Sequence, residues 1–261
     1  MNISAVTLLA RRPRDFVGVR GPDAARHLQA MVSNDVEALA VGDSCEALLL
    51  TPKARVIAPL VVLRRGVDDF LLLTEEGLGE RVRTTLLRSR LSLRCEIELE
   101  EHVSIVALGK SDGIPTADFG VPAVEWLDAD LEPNVDDEEL ELMRIRAGTP
   151  RPGRELDDRV MPAEAGLDKR AVSFEKGCYP GQEPVARQHY RGRVLRGLRP
   201  LVIEGEELPP YDAELTLGEK VVGRVTSVAL EGDHVLALAY VRAEVPKRAT
   251  LRLGEREVRP A

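Results

Sequence analysis

The chemistry this chain can do is concentrated in Lys176-Gly177-Cys178-Tyr179-Pro180-Gly181-Gln182-Glu183, where one thiol lies between two glycines. Glycine tolerates positive φ and lets backbone approach a ligand closely. Gln182 and Glu183 fall in the first turn of a helix predicted to run on through Pro184 to Tyr190. Proline is tolerated in that turn because its N–H would have no intrahelical partner. A thiol just before a helix start, with Lys176 two residues away, is in a setting that favours the thiolate. The competing reading is a cysteine buried for packing, as free cysteines often are. Of the four histidines, His27, His102, His189 and His234, none has metal-ligand spacing, and only His189 is near the thiol in sequence. No Ser-His-Asp set, phosphate-binding glycine loop or dinucleotide fingerprint is present.

The surrounding elements must hold this loop in place. Ala171 to Phe174 reads as a strand leading into it. Earlier in the chain, Phe16 to Val19 reads as a strand, and Gly21-Pro22 opens a helix with Ala25, Leu28, Met31 and Val32 on its apolar face. His27 is expected on that helix's surface. Glu46–Thr51, Arg55–Leu63 and Phe70–Thr74 predict an antiparallel meander. A helix is predicted from Glu76 to Arg88, then strands over Leu91–Ile97 and Val103–Leu108, with Cys95 in the core. The glycines and prolines of residues 110–135 predict irregular loop, with Trp126 as a core anchor. Asp136 to Ala147 reads as a helix stopped by Gly148. After Arg193 the pattern shifts to period two with frequent turns, and five or six short strands predict a small barrel.

A chain of 261 residues exceeds the usual single-core range, so cooperating units are expected. Its apolar runs are too short to span a bilayer, and no signal-peptide segment accompanies Arg11, Arg12 and Arg14, so a cytoplasmic protein is expected. Three cysteines, an odd count without close spacing, imply neither a disulfide framework nor a structural zinc site. The net charge of −8 argues against broad nucleic-acid binding. Asp128 to Glu141 holds eight acidic residues and no Lys or Arg, whereas Arg151 to Arg199 holds eleven Lys/Arg against seven Asp/Glu. The acidic run reads as a solvated face. The basic excess would suit an anionic ligand or structural ion pairs equally.

The octapeptide resembles the signature of the YgfZ-type folate-binding proteins, relatives of the glycine-cleavage T protein (aminomethyltransferase). Gly21–Ala25, Val32–Val36, Arg144–Pro150, Met161–Leu167, Val185–Arg187 and Arg191-Gly192 extend the likeness over most of the chain. The resemblance implies an α+β fold. Interleaved folate-binding α/β subdomains would occupy residues 1–193 and a C-terminal β-barrel residues 194–261, around a central channel. It further implies a tetrahydrofolate-binding accessory protein that assists iron–sulfur client proteins and influences tRNA modification indirectly, with no direct nucleic-acid or membrane contact. Cys178 would be the reactive or cluster-interacting group. Lys176, Gly177, Tyr179, Gly181, Gln182, Glu183 and Arg187 would form the folate-binding surroundings, with Lys176 and Arg187 attracting the folate tail.

Two departures bear on activity. Ala58 and Pro59 stand where the relatives carry an acidic pair, and the relatives' Gly-Tyr-Thr-Gly-Glu strand is not recognisable around residues 110–125. Glycine-cleavage activity is therefore not expected. The alternatives are a folate-dependent one-carbon transferase using Asp23, Asp35 or Glu164 instead, and an interaction module that has lost its ligand.

Overall fold

The computed structural model describes residues 7–157 and 159–261. Strands β1 (Leu8–Arg11) and β2 (Arg14–Arg20) belong to different sheets, and Arg12-Pro13 carries the backbone between them. There follow α1 (Ala24–Met31), β3 (Ser44–Leu50), β4 (Val56–Gly66), β5 (Asp69–Glu75), α2 (Gly79–Ser89) and β6 (Glu96–Glu100). The five strands β2–β6 form an antiparallel sheet in the order β3-β4-β5-β2-β6. Next, β7 (Ser104–Leu108), β8 (Ile114–Thr116) and β9 (Ala123–Leu127) join β1 in a second antiparallel sheet, ordered β1-β7-β9-β8. Helix α3 (Asp137–Ala147) is separated from α4 (Gln182–Arg191) by a long irregular stretch. Strands β10 (Arg196–Glu204), β11 (Glu214–Leu217), β12 (Lys220–Glu231), β13 (His234–Arg242), β14 (Leu251–Leu253) and β15 (Arg256–Pro260) close into a barrel.

The two-residue period of a strand explains how the sheets stack. On β5, Phe70 and Leu72 point to a core shared with Leu28 of α1 and Val82 and Leu86 of α2. Leu71 and Leu73 point the other way and pack with Phe16, Val61 and Ile114 of β8. The central sheet therefore lies between helices and the second sheet. A strand covered on both faces reads as a continuous apolar run, as Phe70-Leu71-Leu72-Leu73 does.

Helix α3 shows why the acidic run is acidic. Asp136 caps it, its carboxylate accepting from the N–H of Glu139 at 2.8 Å. Asp137, Glu138 and Glu139 fill the first turn, Arg144 and Arg146 the last, and Gly148 ends the helix at φ 75°. Both charge placements complement the helix dipole. Ile145 of α3 packs against Leu236 and Leu238 of the barrel.

Five expectations are corrected. Residues 110–135 are not loop throughout, for β8 and β9 lie there. Pro115 is accommodated because β8 is the edge strand, where a missing N–H breaks no ladder. Ala171 to Phe174 is coil, apolar because Ala171 and Val172 are buried rather than because they pair. β6 begins only at Glu96, so Cys95 lies before it, yet it is buried in the core as expected. His27 is not on the surface: it is 1 % exposed, wedged between helices with Nε2 at 3.1 Å from the Leu86 carbonyl oxygen. Trp126 is only partly buried; its indole N–H donates to the Asp112 carbonyl at 2.6 Å, and its ring covers Gly113. The barrel follows Arg193 with six strands, as expected, and α3 falls within a residue of the expected Asp136–Ala147.

One buried carboxylate ties α3, the linker and the barrel together. Glu155 is fully buried; it accepts from Arg144 Nη1 at 3.3 Å, the Arg151 N–H at 2.9 Å and Ser227 Oγ at 2.6 Å. Its own carbonyl accepts from the Tyr240 hydroxyl at 2.9 Å. Glu155→Ala leaves Arg144 its bonds to Glu141 and the Thr149 carbonyl but strands the Arg151 N–H and the Ser227 hydroxyl, and a loss of about 1–3 kcal/mol is expected in urea unfolding. A loss near zero would show that the carboxylate pins nothing.

Candidate functional site

The thiol loop is built by alternation. Lys176 and Tyr179 are buried, whereas Gly177 and Cys178 between them are exposed. Lys176 Nζ donates to the carbonyls of Gln29 and Val32, each at 2.6 Å, and of Asn34 at 2.9 Å. These close the C-terminal end of α1, where helical carbonyls lack intrahelical partners and attract cations. All three ammonium donors are thereby used. Burial draws the Lys176 pKa down to about 8. Its Nζ also lies 5.4 Å from the centre of the Tyr179 ring. Tyr179 packs among Leu50, Ala54, Val56 and Val185; its hydroxyl is buried without a hydrogen-bond partner, and burial pushes its pKa up to about 12. Gly181 is the N-cap of α4 at φ 85°, and a Cβ there would lie 2.6 Å from the Thr51 carbonyl oxygen. Glycine is required on both counts.

The rest of the expected set is spread over α4. Gln182 is half-buried. Glu183 and Arg187 are exposed and pair with each other at 2.9 Å, one helical turn apart. His189 stacks on Phe174 with ring centres 3.8 Å apart, and the exposed Tyr190 stands edge-on to both. Among the described residues no three His, Cys, Asp or Glu side chains converge as metal ligands.

A second feature escaped sequence reasoning. Between the two sheets lies a narrow cleft with about 50 Å³ of internal space. Its origin is Pro59. Without an N–H, Pro59 cannot donate to β5, and β4 pairs with β5 only from Val61 onward. Thr74 Oγ1 donates instead to the Pro59 carbonyl at 2.8 Å. Leu48, Leu60 and Pro115 give the cleft apolar walls, while arginines and carboxylates give it charge.

The charges are paired. Arg12 reaches Asp118 at 2.7 Å and Glu75 and Glu125 at 3.0 Å. Arg14 also binds Glu125, which accepts from Ser104 Oγ at 2.8 Å. Arg170 bridges Asp118 at 2.9 Å and Glu46 at 3.0 Å. Burial opposes the charge of Asp118, but Arg12 and Arg170 outweigh it and hold the pKa well below the carboxylate range. Burial likewise opposes the charge of Glu125, and Arg14 and Arg12 draw its pKa down to about 2. For Glu46 burial prevails over Arg170, and the pKa is raised.

These carboxylates are not the ones expected. Ala58 faces the helical core, and only Pro59 of the pair lines the cleft. Asp23 accepts from the Arg94 N–H, Asp35 from Gln29, and Glu164 from Arg196 and the Met161 N–H; none of the three lines the cleft. The one sequence signal for the cluster was a charged residue, Glu125, inside the otherwise apolar Ala123–Leu127. The cleft and the thiol loop share a wall: Leu48 and Ala171 line the first and belong to the apolar cluster that contains Tyr179.

No protein-family profile matches the chain. Its fold is that of the glycine-cleavage aminomethyltransferases: the Bartonella henselae aminomethyltransferase T superposes with a TM-score of 0.82 at 18 % identity, over 97 % of this chain and 84 % of that one. Two relatives narrow the class. One is the tRNA-modifying protein YgfZ of Photorhabdus laumondii, 25 % identical over 97 % of this chain and 89 % of its own length. The other is the mitochondrial iron–sulfur cluster assembly factor IBA57 homolog of Mycosarcoma maydis, 30 % identical over 79 % of this chain and 60 % of its own. The resemblance carried by the octapeptide is thus borne out: the chain is similar to the YgfZ and IBA57 proteins and has the aminomethyltransferase fold.

Two measurements test the site. Glu125 and Glu100 both have pKa values drawn to about 2, Glu100 chiefly by its hydrogen bond from Arg65. Folded values below the ordinary glutamate value of about 4.3 give stability that is complete above it and lost on acidification. Denaturation midpoints are expected to fall steeply between about pH 4.3 and pH 2, and a flat profile would show the pairs to be without net effect. Separately, Cys178 is exposed, whereas burial raises the pKa of Cys95 and pushes that of Cys45 to about 12. Native alkylation followed by peptide mapping should therefore label Cys178 first.

Proposed function

We propose that the chain is a tetrahydrofolate-binding accessory protein of the cytoplasm that assists the assembly or repair of iron–sulfur proteins. Its influence on tRNA modification passes through those clients. The observation that carries this reading is the outward placement of Cys178 between the buried anchors Lys176 and Tyr179. A structure that fixes two neighbours in the core and leaves a thiol in solvent presents that thiol to something outside the chain. One thiolate is one ligand of an iron–sulfur cluster, so a client would supply the others. The names of the relatives support the same reading, since one is an assembly factor and another a tRNA-modifying protein.

The lining of the cleft suits a reduced pterin chemically, and the cleft, about 50 Å³ here, would widen to admit the ring. The ring carries N–H donors, for which Glu46, Glu75 and Asp118 are acceptors, and flat faces, for which Leu48, Leu60 and Pro115 are walls. Glu46, under-solvated enough for its pKa to rise, gains from a further donor. One-carbon transfer by the route of the T protein has no support, because neither Ala58 nor Pro59 can move a proton. Loss of one positioned acid or base typically costs about 10²–10⁴-fold in rate. A reconstituted glycine-cleavage assay is expected to show no significant turnover.

Tetrahydrofolate at about 100 times its dissociation constant should stabilise the protein by roughly 2.7 kcal/mol, seen as a raised melting temperature. Cys178→Ser should keep that shift and lose the protein's support of iron–sulfur enzyme activity in cells lacking the native chain. Full support by the serine variant would overturn the role of the thiol, and an unchanged melting curve would overturn the role of the cleft.

A further inference from the structure

The cleft does not end at its mouth. It shares Arg12, Glu75, Asp118, Arg144 and Arg151 with an adjoining hollow. That hollow shares Glu141, Arg151, Pro152 and Gly153 with a groove on the barrel. The groove in turn shares Arg154, Tyr211 and Thr226 with a last hollow beside Arg159, Arg196 and Arg224. The shared residues make one trench, running from between the sheets, past α3, onto the barrel wall.

Arginine recurs along its length, and the cations change character on the way out. Arg12 is 11 % exposed and bound to three carboxylates. Arg151 is 53 % exposed and only 3.4 Å from Glu141, which Arg144 already holds at 2.6 Å. Among the described residues Arg154 has no carboxylate partner; its guanidinium lies over the Tyr211 ring, 5.7 Å from the centre. Arg224 meets Glu214 at 2.8 Å and Asp212 at 3.3 Å, with all three side chains about half exposed. Such exposed pairs are worth little and exchange readily for a better-placed carboxylate. A guanidinium offers paired donors matched to a carboxylate. On the thiol side, by contrast, Lys176 is spent on backbone carbonyls, and Arg187, whose pair with Glu183 is equally open to exchange, lines none of these hollows.

We propose that this trench takes the oligo-γ-glutamyl tail of a folate. The proposal rests on the folate reading above and adds the tail's path. An oligo-γ-glutamyl chain is extended and carries one carboxylate per residue, which suits the spaced guanidiniums of Arg151, Arg154 and Arg224, the first two weakly engaged and the third in exposed pairs, leading away from the cleft. The trench replaces the region around Lys176 and Arg187 as the place where the tail is held.

The test is calorimetry on the full chain with tetrahydrofolate and its triglutamate. The triglutamate is expected to bind about tenfold tighter at low salt, the size of one added charge-assisted contact, with the gain shrinking as salt rises. The double variant Arg154→Gln/Arg224→Gln should lose the gain and keep the affinity for the monoglutamate. Lys176→Met and Arg187→Gln, checked for folding by their melting curves, should leave the gain intact. Equal affinity for the two ligands in the native chain would overturn the trench while leaving the folate reading standing. So would a gain that survives the double variant or disappears in Arg187→Gln. Binding of neither form would overturn both.

Discussion

The contact on which the rest depends is the desolvated ion cluster of Arg12 and Arg14 with Glu125. The two arginines flank Pro13 at the crossing between sheets, and the glutamate stands on β9 with no exposed side-chain surface. Removing a charge from water is costly, and Coulomb attraction repays it only where geometry is good and the remaining donors and acceptors are filled. Ser104, Glu75 and Asp118 fill them here. The apolar contact between Leu71, Leu73 and Ile114 brings the two sheets together without fixing their rotation. The ion cluster, being directional, fixes it, and so defines the cleft that Pro59 opens on one side.

The thiol loop depends on the same arrangement at one remove. Ala171 and Leu48 form part of the cleft wall and part of the core around Tyr179. Arg170, the next residue in the chain, bridges Glu46 and Asp118 across the cleft. A ligand that displaces or tightens Arg170 therefore acts on backbone joined to the segment that positions Cys178. The two features are mechanically adjacent although they perform different chemistry.

What the sequence revealed follows from how local each signal is. The barrel was legible because its strands alternate, its turns carry glycine, and three of its six pairings are hairpins. Helix α3 was legible because cap, dipole charges and stop residue lie within one short segment. The octapeptide marked the loop, and the exposure of Cys178 agrees with a functional thiol. The ion cluster was not legible, because Arg12 and Glu125 are 113 residues apart and a charge pair leaves no local pattern. β8 and β9 were hidden by Gly113, Pro115, Gly120 and Pro122, which mark edges and turns as readily as loops. His27 was misplaced because a helix with two apolar neighbours buries a wider stripe than its aliphatic residues show. Lys176 was read beside the thiol in sequence, whereas its four-carbon stem carries the ammonium inward to α1.

That inward turn also bears on the order in which the molecule is assembled. The hydrogen bonds from Lys176 to the end of α1 join groups 142 to 147 residues apart. The barrel, by contrast, has three hairpins among its six pairings, and the others join residues fewer than 60 positions apart. Contacts that close long loops must repay their entropy before they gain anything, so local hairpins form ahead of them. On a ribosome, just over two thirds of the chain must emerge before Lys176 can reach α1. The loop that displays the thiol is thus among the last parts to acquire its shape, and an unfinished or partly unfolded chain offers a cysteine without the frame that aims it.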